Sequence, residues 1–106
     1  MNAITIIRTN GTVEQTLQST PATLEQIQAA VGGWIELVPN FQEFNGEPCE
    51  VYCNEEGKLD GLAPNPKATG LWYAANDLGY GPDDILVGDV VILTGLAIPR
   101  DDDEDE

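Results

Sequence analysis

Residues 54–71, NEEGKLDGLAPNPKATGL, constrain this chain more tightly than any other stretch. Within that span one element must stop, the backbone must turn, and a helix must start. Asn54-Glu55-Glu56-Gly57 reads as a tight turn, with Gly57 free to adopt the left-handed conformation that closes a hairpin. A short strand return is expected at residues 58–60. Asn65-Pro66 reads as a helix start: Asn65 caps, and Pro66 takes the first helical position, where its missing N–H is no loss.

The elements on either side follow from periodicity. Residues 4–8 (ITIIR) are apolar and β-branched, Asn10-Gly11 is a strong hairpin signal, and residues 12–17 (TVEQTL) alternate, so the chain opens on a β-hairpin. Thr20 and Pro21 are expected to cap and start a helix in which Leu24, Ile27, Ala30 and Val31 share a face and which Gly32-Gly33 ends. WIELVP at 34–39 is the next strand, NFQEFNGEP at 40–48 a loop, and CEVYC at 49–53 a strand with Cys49, Val51 and Cys53 inward. The helix from Pro66 extends to about Asn76 with Ala68, Leu71, Trp72 and Ala75 on its apolar face. Residues 78–84 read as a loop. ILVGDVVILT at 85–94, the most apolar run, reads as a central strand bent at Gly88.

The order is β-β-α-β-β-β-α-β. The expected class is α+β: a mostly antiparallel sheet with two helices packed on one face, a parallel pair with the last strand being left open. At 106 residues the chain has room for one core, so residues 1–100 are read as a single domain and 101–106 as an acidic tail.

Charge limits the partners. Nineteen acidic residues face four basic ones (Arg8, Lys58, Lys67 and Arg100), a net charge of −15, and the body stays strongly acidic without the six-residue tail. Such a surface repels nucleic acid and anionic membrane and attracts a basic partner. No stretch is apolar enough to span a bilayer and no signal peptide is recognised, so a cytoplasmic location is expected. Cys49 and Cys53 would lie about 13 Å apart along a strand, too far to bridge, and are expected to be reduced. With no histidine, a four-ligand zinc site within one chain is not expected, nor is any cofactor.

Three blocks, LEQIQAAVGGWIELV at 24–38, NEEGKLDGLAPNPKAT at 54–69 and GDVVILTG at 88–95, occur in order. Over residues Leu24 to Gly95 the chain resembles the family called domain of unknown function 3846. The resemblance implies a small accessory protein of bacteriophages or mobile elements. It supplies no activity.

The candidate sites follow from charge and exposure. The tail Asp101, Asp102, Asp103, Glu104, Asp105 and Glu106, if extended, spaces its charges at about 3.3 Å, close to the ~3.4 Å per phosphate of one DNA strand, and can imitate nucleic acid in a basic groove. Glu55 and Glu56 at the turn add to an acidic partner-binding surface. Phe41 and Phe44, aromatic residues in a loop, are natural interface anchors. Glu36 and Asp89 are lone acids in apolar strands, and nothing in their spacing makes them a catalytic pair. No nucleophile elbow, phosphate loop or Ser/His/Asp set is present, so an enzyme is not expected.

The expected function is inhibition of a host nucleic-acid-handling or defence protein by covering its basic surface. The alternative is a sponge, possibly oligomeric, that sequesters a nucleotide signal. It would use Asn65, Lys67 and Tyr73 at the one helix start suited to an anion.

Overall fold

A run of β-branched residues that is apolar on both faces is stable only where both faces are covered. The computed structural model, which describes residues 1–76 and 84–99, places this run at the centre of the sheet. The elements are β1 (Ala3–Ile7), β2 (Val13–Leu17), α1 (Leu24–Val31), β3 (Ile35–Leu37), β4 (Glu43–Phe44), β5 (Glu47–Asn54), α2 (Pro66–Ala74) and β6 (Val90–Thr94), followed by a 3₁₀ turn at Gly95–Ala97. The sheet has six strands in the order β2-β1-β6-β5-β3, with β4 paired to β5. Every strand pair is antiparallel, including both neighbours of β6. The class is α+β and the element order is the expected one. Among the described residues no helix is long and apolar enough to cross a membrane.

The helices, however, lie on opposite faces. Val90 and Ile92 pack with Ile7, Val51 and the α2 residues Ala68 and Trp72. Val91 and Leu93, the alternate residues of the same strand, pack with Ile4 and the α1 residues Ile27, Ala30 and Val31. All five β6 side chains are buried. A strand apolar at every position needs a helix on each side, whereas two helices on one face would leave Val91 and Leu93 in water.

Local chemistry moves some boundaries. Helix α1 starts at Thr23 rather than Thr20, because Thr23 and Gln26 form a reciprocal capping box: Gln26 N–H donates to Thr23 Oγ1 (3.1 Å) and Thr23 N–H to Gln26 Oε1 (2.9 Å). It ends as expected at Gly32 (φ 82°). The 40–48 loop contains a small hairpin, since Asn45 and Gly46 both take positive φ (55° and 81°), the pattern of a two-residue primed turn. That hairpin adds β4, and no strand forms at residues 58–60. There the chain coils through successive turns, with Asp60 N–H donating to Glu56 O (2.8 Å) and Leu62 N–H to Gly57 O (2.9 Å). Gly57 is not left-handed. A Cβ there would stand 2.9 Å from Val87 Cγ2, so glycine is needed for close approach.

Asn65 performs more than the expected capping. Its Oδ1 accepts from Ala68 N–H (3.1 Å), while its Nδ2 donates to the carbonyls of Ile7 and Gly88 (both 2.9 Å). One fully buried amide thereby ties α2 to the end of β1 and to the bend before β6. Gly88 makes that bend at φ 74°.

Gly70 lies in the middle of α2, exposed, with nothing within 4 Å of where an alanine methyl would stand. Gly70→Ala is expected to stabilise the protein by about 0.5–1 kcal/mol, because alanine loses less backbone entropy in a helix. Urea unfolding followed by circular dichroism measures this.

Candidate functional site

The segment 84–87 carries the chain back toward β6, and three bonds pin it beside α2. Tyr73 Oη donates to Asp84 O (2.7 Å), Leu86 N–H to Thr69 Oγ1 (2.9 Å), and Asn65 N–H to Leu86 O (2.8 Å). Trp72 Nε1 donates to Pro39 O (2.8 Å) and fixes α2 to the chain leaving β3. Between these walls lies a cleft of about 270 Å³. Its floor is Trp72, Val38, Leu86 and Cys53; its rim carries Leu37, Leu59 and Ile85 with Glu36, Glu55 and the Lys58–Asp84 ion pair.

The rim is unusually apolar for a solvent-facing edge. Leu59 is 88% exposed, and Leu37 and Ile85 are also exposed. Trp34 is exposed two residues before Glu36, and its carbonyl accepts from Glu55 N–H (2.8 Å), which places it beside the acidic rim. Exposed large apolar side chains grouped with a few charges are the composition of a contact surface.

The chemistry available in the cleft is limited. Burial, and secondarily the Glu36 carboxylate, push the Cys53 thiol up to about 11; burial does the same to Cys49. Both are therefore protonated at neutral pH and poor nucleophiles. Cys49 Sγ also faces Phe41 O at 3.6 Å. The hydrogen bond from Lys58, helped by Ile85 N–H, holds the Asp84 carboxyl below its ordinary value. Asp89 sits in a separate network, accepting from Arg8 Nη1 (2.8 Å) and Thr9 N–H (3.0 Å), while Arg8 also pairs with Glu14. Glu36 and Asp89 thus serve different neighbours. Among the described residues no three acidic or thiol groups converge as a metal site.

The residues singled out from sequence are scattered. Glu55 lines the cleft. Glu56 is exposed at the adjoining turn, where its N–H donates to Asn54 Oδ1 (2.8 Å). Phe41 is no surface anchor: it is 1% exposed and part of the core beneath α2, because the chain after β3 folds inward over the sheet. Phe44 is half-buried, borders a shallow recess with Leu71, and keeps one edge accessible. Asp101 to Glu106 lie outside the described residues, as do the 78–83 part of the expected loop and Arg100.

The expected anion site does not assemble. The Asn65 amide is buried and fully engaged within the fold. Lys67 and Tyr73, six positions apart, stand about 120° from each other around α2. The cleft residues Leu37, Leu59 and Ile85 were not legible as a group, since they come from distant parts of the chain. The one signal that pointed toward them is the appearance of bulky apolar residues beside glutamates in WIEL and EEGKL.

A family model described as Domain of unknown function (DUF3846) matches residues 1–104. The chain belongs to that family. The DUF3846 match begins with β1 and continues into the acidic tail, so the β1–β2 hairpin, outside the Leu24–Gly95 resemblance, is part of the family domain. No curated protein and no solved structure matches the chain.

Proposed function

We propose that this DUF3846 protein is a non-catalytic binding protein, of bacteriophage or mobile-element type, that inhibits a host nucleic-acid-handling or defence protein by occupying its basic surface. The observation that carries the reading is the cleft: exposed Leu37, Leu59 and Ile85 ringed by Glu36 and Glu55. An apolar side chain of the partner fills the cleft, and flanking lysines or arginines meet the two glutamates. Apolar contact supplies affinity, and the acidic field of a −15 chain supplies steering.

The distribution of bases supports this. Arg8 and Lys58 each already hold a carboxylate, and Lys67 makes no ion pair among the described residues. The acidic residues Asp101 to Glu106 add six charges that a basic groove can take in place of nucleic-acid phosphates. Two free thiols support action in the reducing host cytoplasm.

The test is capture from bacterial lysate on the immobilised full chain, in about 0.1 M and about 0.5 M salt, with Glu36→Lys/Glu55→Lys and Leu59→Asp variants in parallel. A basic nucleic-acid-handling or defence protein is expected on the wild type at low salt. Retention should fall by about tenfold or more at high salt and with either variant. Nothing retained by the wild type at either salt, or retention indifferent to residues 36, 55 and 59, overturns the reading.

A further inference from the structure

The sheet ends on one side at β2, whose five residues are all exposed; Leu17 is 71% and Val13 47% exposed. The bonds to β1 fix which way its backbone faces. Arg8 N–H donates to Thr12 O (2.8 Å) and Gln18 N–H to Asn2 O (2.9 Å). By the alternation of an antiparallel ladder, Glu14 and Thr16 also address β1, and the N–H and C=O groups of Val13, Gln15 and Leu17 point outward. The side chains of those three residues share the face of Ala3, Thr5 and Ile7, and Gln15 Nε2 donates to Thr5 Oγ1 (3.0 Å).

We infer that β2 pairs with β2 of a second copy, antiparallel, about a two-fold axis through Gln15. Of the two-fold registers, this is the one that pairs all three outward residues with one another and opposes no like charges. Val13, Gln15 and Leu17 then face Leu17, Gln15 and Val13 of the other copy, so every outward backbone group meets a complementary one. An axis normal to the sheet keeps both apolar faces on the same side, placing each Val13 against a Leu17. Glu14 falls opposite Thr16, so no like charges stand directly opposed. Centring on Glu14 instead would still set outward backbone against outward backbone, but it would place two Glu14 side chains directly opposite each other at a non-hydrogen-bonded site, where side chains stand closest. Glu14 is held by Arg8 (2.8 and 3.1 Å), whose guanidinium keeps its carboxyl below the ordinary value, so the strand brings little free charge to the contact.

Two five-residue strands bury less than a standard interface, so the dimer forms in a concentration-dependent way. Each copy carries −15, and added salt screens their repulsion. Self-association therefore strengthens with salt, opposite in sign to binding of a basic partner. The cleft lies by β3 at the other end of the sheet, so pairing through β2 leaves it open and yields a particle with two outward clefts.

Sedimentation equilibrium of the full chain in about 0.1 M and about 0.5 M salt tests this, with mass expected to rise from 11.4 kDa toward twice that, more steeply at the higher salt. Leu17→Glu, a change at an exposed position, is expected to remain monomeric in both. Gln15→Cys is expected to form a disulfide-linked dimer under mild oxidation, since cross-strand partners at a hydrogen-bonded site stand about 5.5 Å apart between Cα atoms, within disulfide range. Val13→Cys, about 13 Å from its own copy in this register, is expected to link at least about tenfold more slowly. A wild-type mass of one chain up to about millimolar concentration at the higher salt overturns the inference. So does Gln15→Cys linking no faster than Val13→Cys. Neither result touches the partner-binding reading, which rests on residues 36, 55 and 59.

Discussion

Replacing Asn65 with alanine is expected to lower the stability of the protein by about 3–5 kcal/mol, a large fraction of what a domain of this size has. The side chain is fully buried and makes three bonds to three parts of the chain. Loss of the cap on Ala68 N–H accounts for about 1 kcal/mol of this. The rest comes from withdrawing a donor from the carbonyls of Ile7 and Gly88 in an interior that water does not reach. Asn65→Asp separates the two contributions, because a carboxylate keeps the cap but faces two carbonyl oxygens with no proton to give.

That substitution also carries a pH signature. Burial beside two carbonyls raises the folded-state pKa of the introduced carboxyl above its unfolded value of about 3.9. The neutral form, which can donate, is therefore favoured in the fold. The Asn65→Asp deficit is expected to be smallest below about pH 4 and to grow as pH rises, levelling off above the folded pKa. Urea unfolding of wild type, Asn65→Ala and Asn65→Asp between about pH 4 and pH 8 measures both effects. An Asn65→Ala loss near the ~1 kcal/mol of a simple cap would show that the two interior bonds contribute nothing.

Trp72→Ala is the second large effect, expected at about 3–5 kcal/mol. The indole is 4% exposed, packs within the cluster that includes Ile7, Val38, Phe41 and Val90, and donates to Pro39 O. Truncation leaves a cavity and an unpaired carbonyl, and it removes the floor of the cleft. Trp72→Phe keeps most of the packing and loses the bond, so about 1–3 kcal/mol is expected. Circular dichroism in urea gives the stabilities. Fluorescence checks the assignment, because Trp34 is exposed and the buried emission belongs to Trp72. If Trp72→Ala costs under about 1 kcal/mol, α2 does not depend on this anchor.

Legibility followed separation along the chain. The Asn65 cap and Pro66 start were readable because capping involves residues within four positions of each other. The β1–β2 hairpin at Asn10-Gly11 was readable for the same reason. Asn45-Gly46 carried an equally local signal, but β4 before it has only two residues, too few to alternate visibly. Phe41 failed as a surface candidate because residence in a loop says nothing about what the loop covers. The cleft was hidden because Glu36, Leu59, Trp72 and Ile85 meet only after β3, β5, α2 and the 84–87 segment are assembled.

The element order, the mostly antiparallel α+β class, the first hairpin, the start of α2 and the excess of acidic charge all follow from the sequence alone. These depend on caps, turns and side-chain alternation, whose energies act over a few residues. Only the tertiary structure decided that the two helices take opposite faces, that Asn65 is an interior clamp rather than an anion site, and that an apolar cleft with an acidic rim lies beside β3. Each of those depends on which distant surfaces must leave water together. Val90 through Thr94, buried on both faces, need two separate covers, and no local pattern says which helix supplies which.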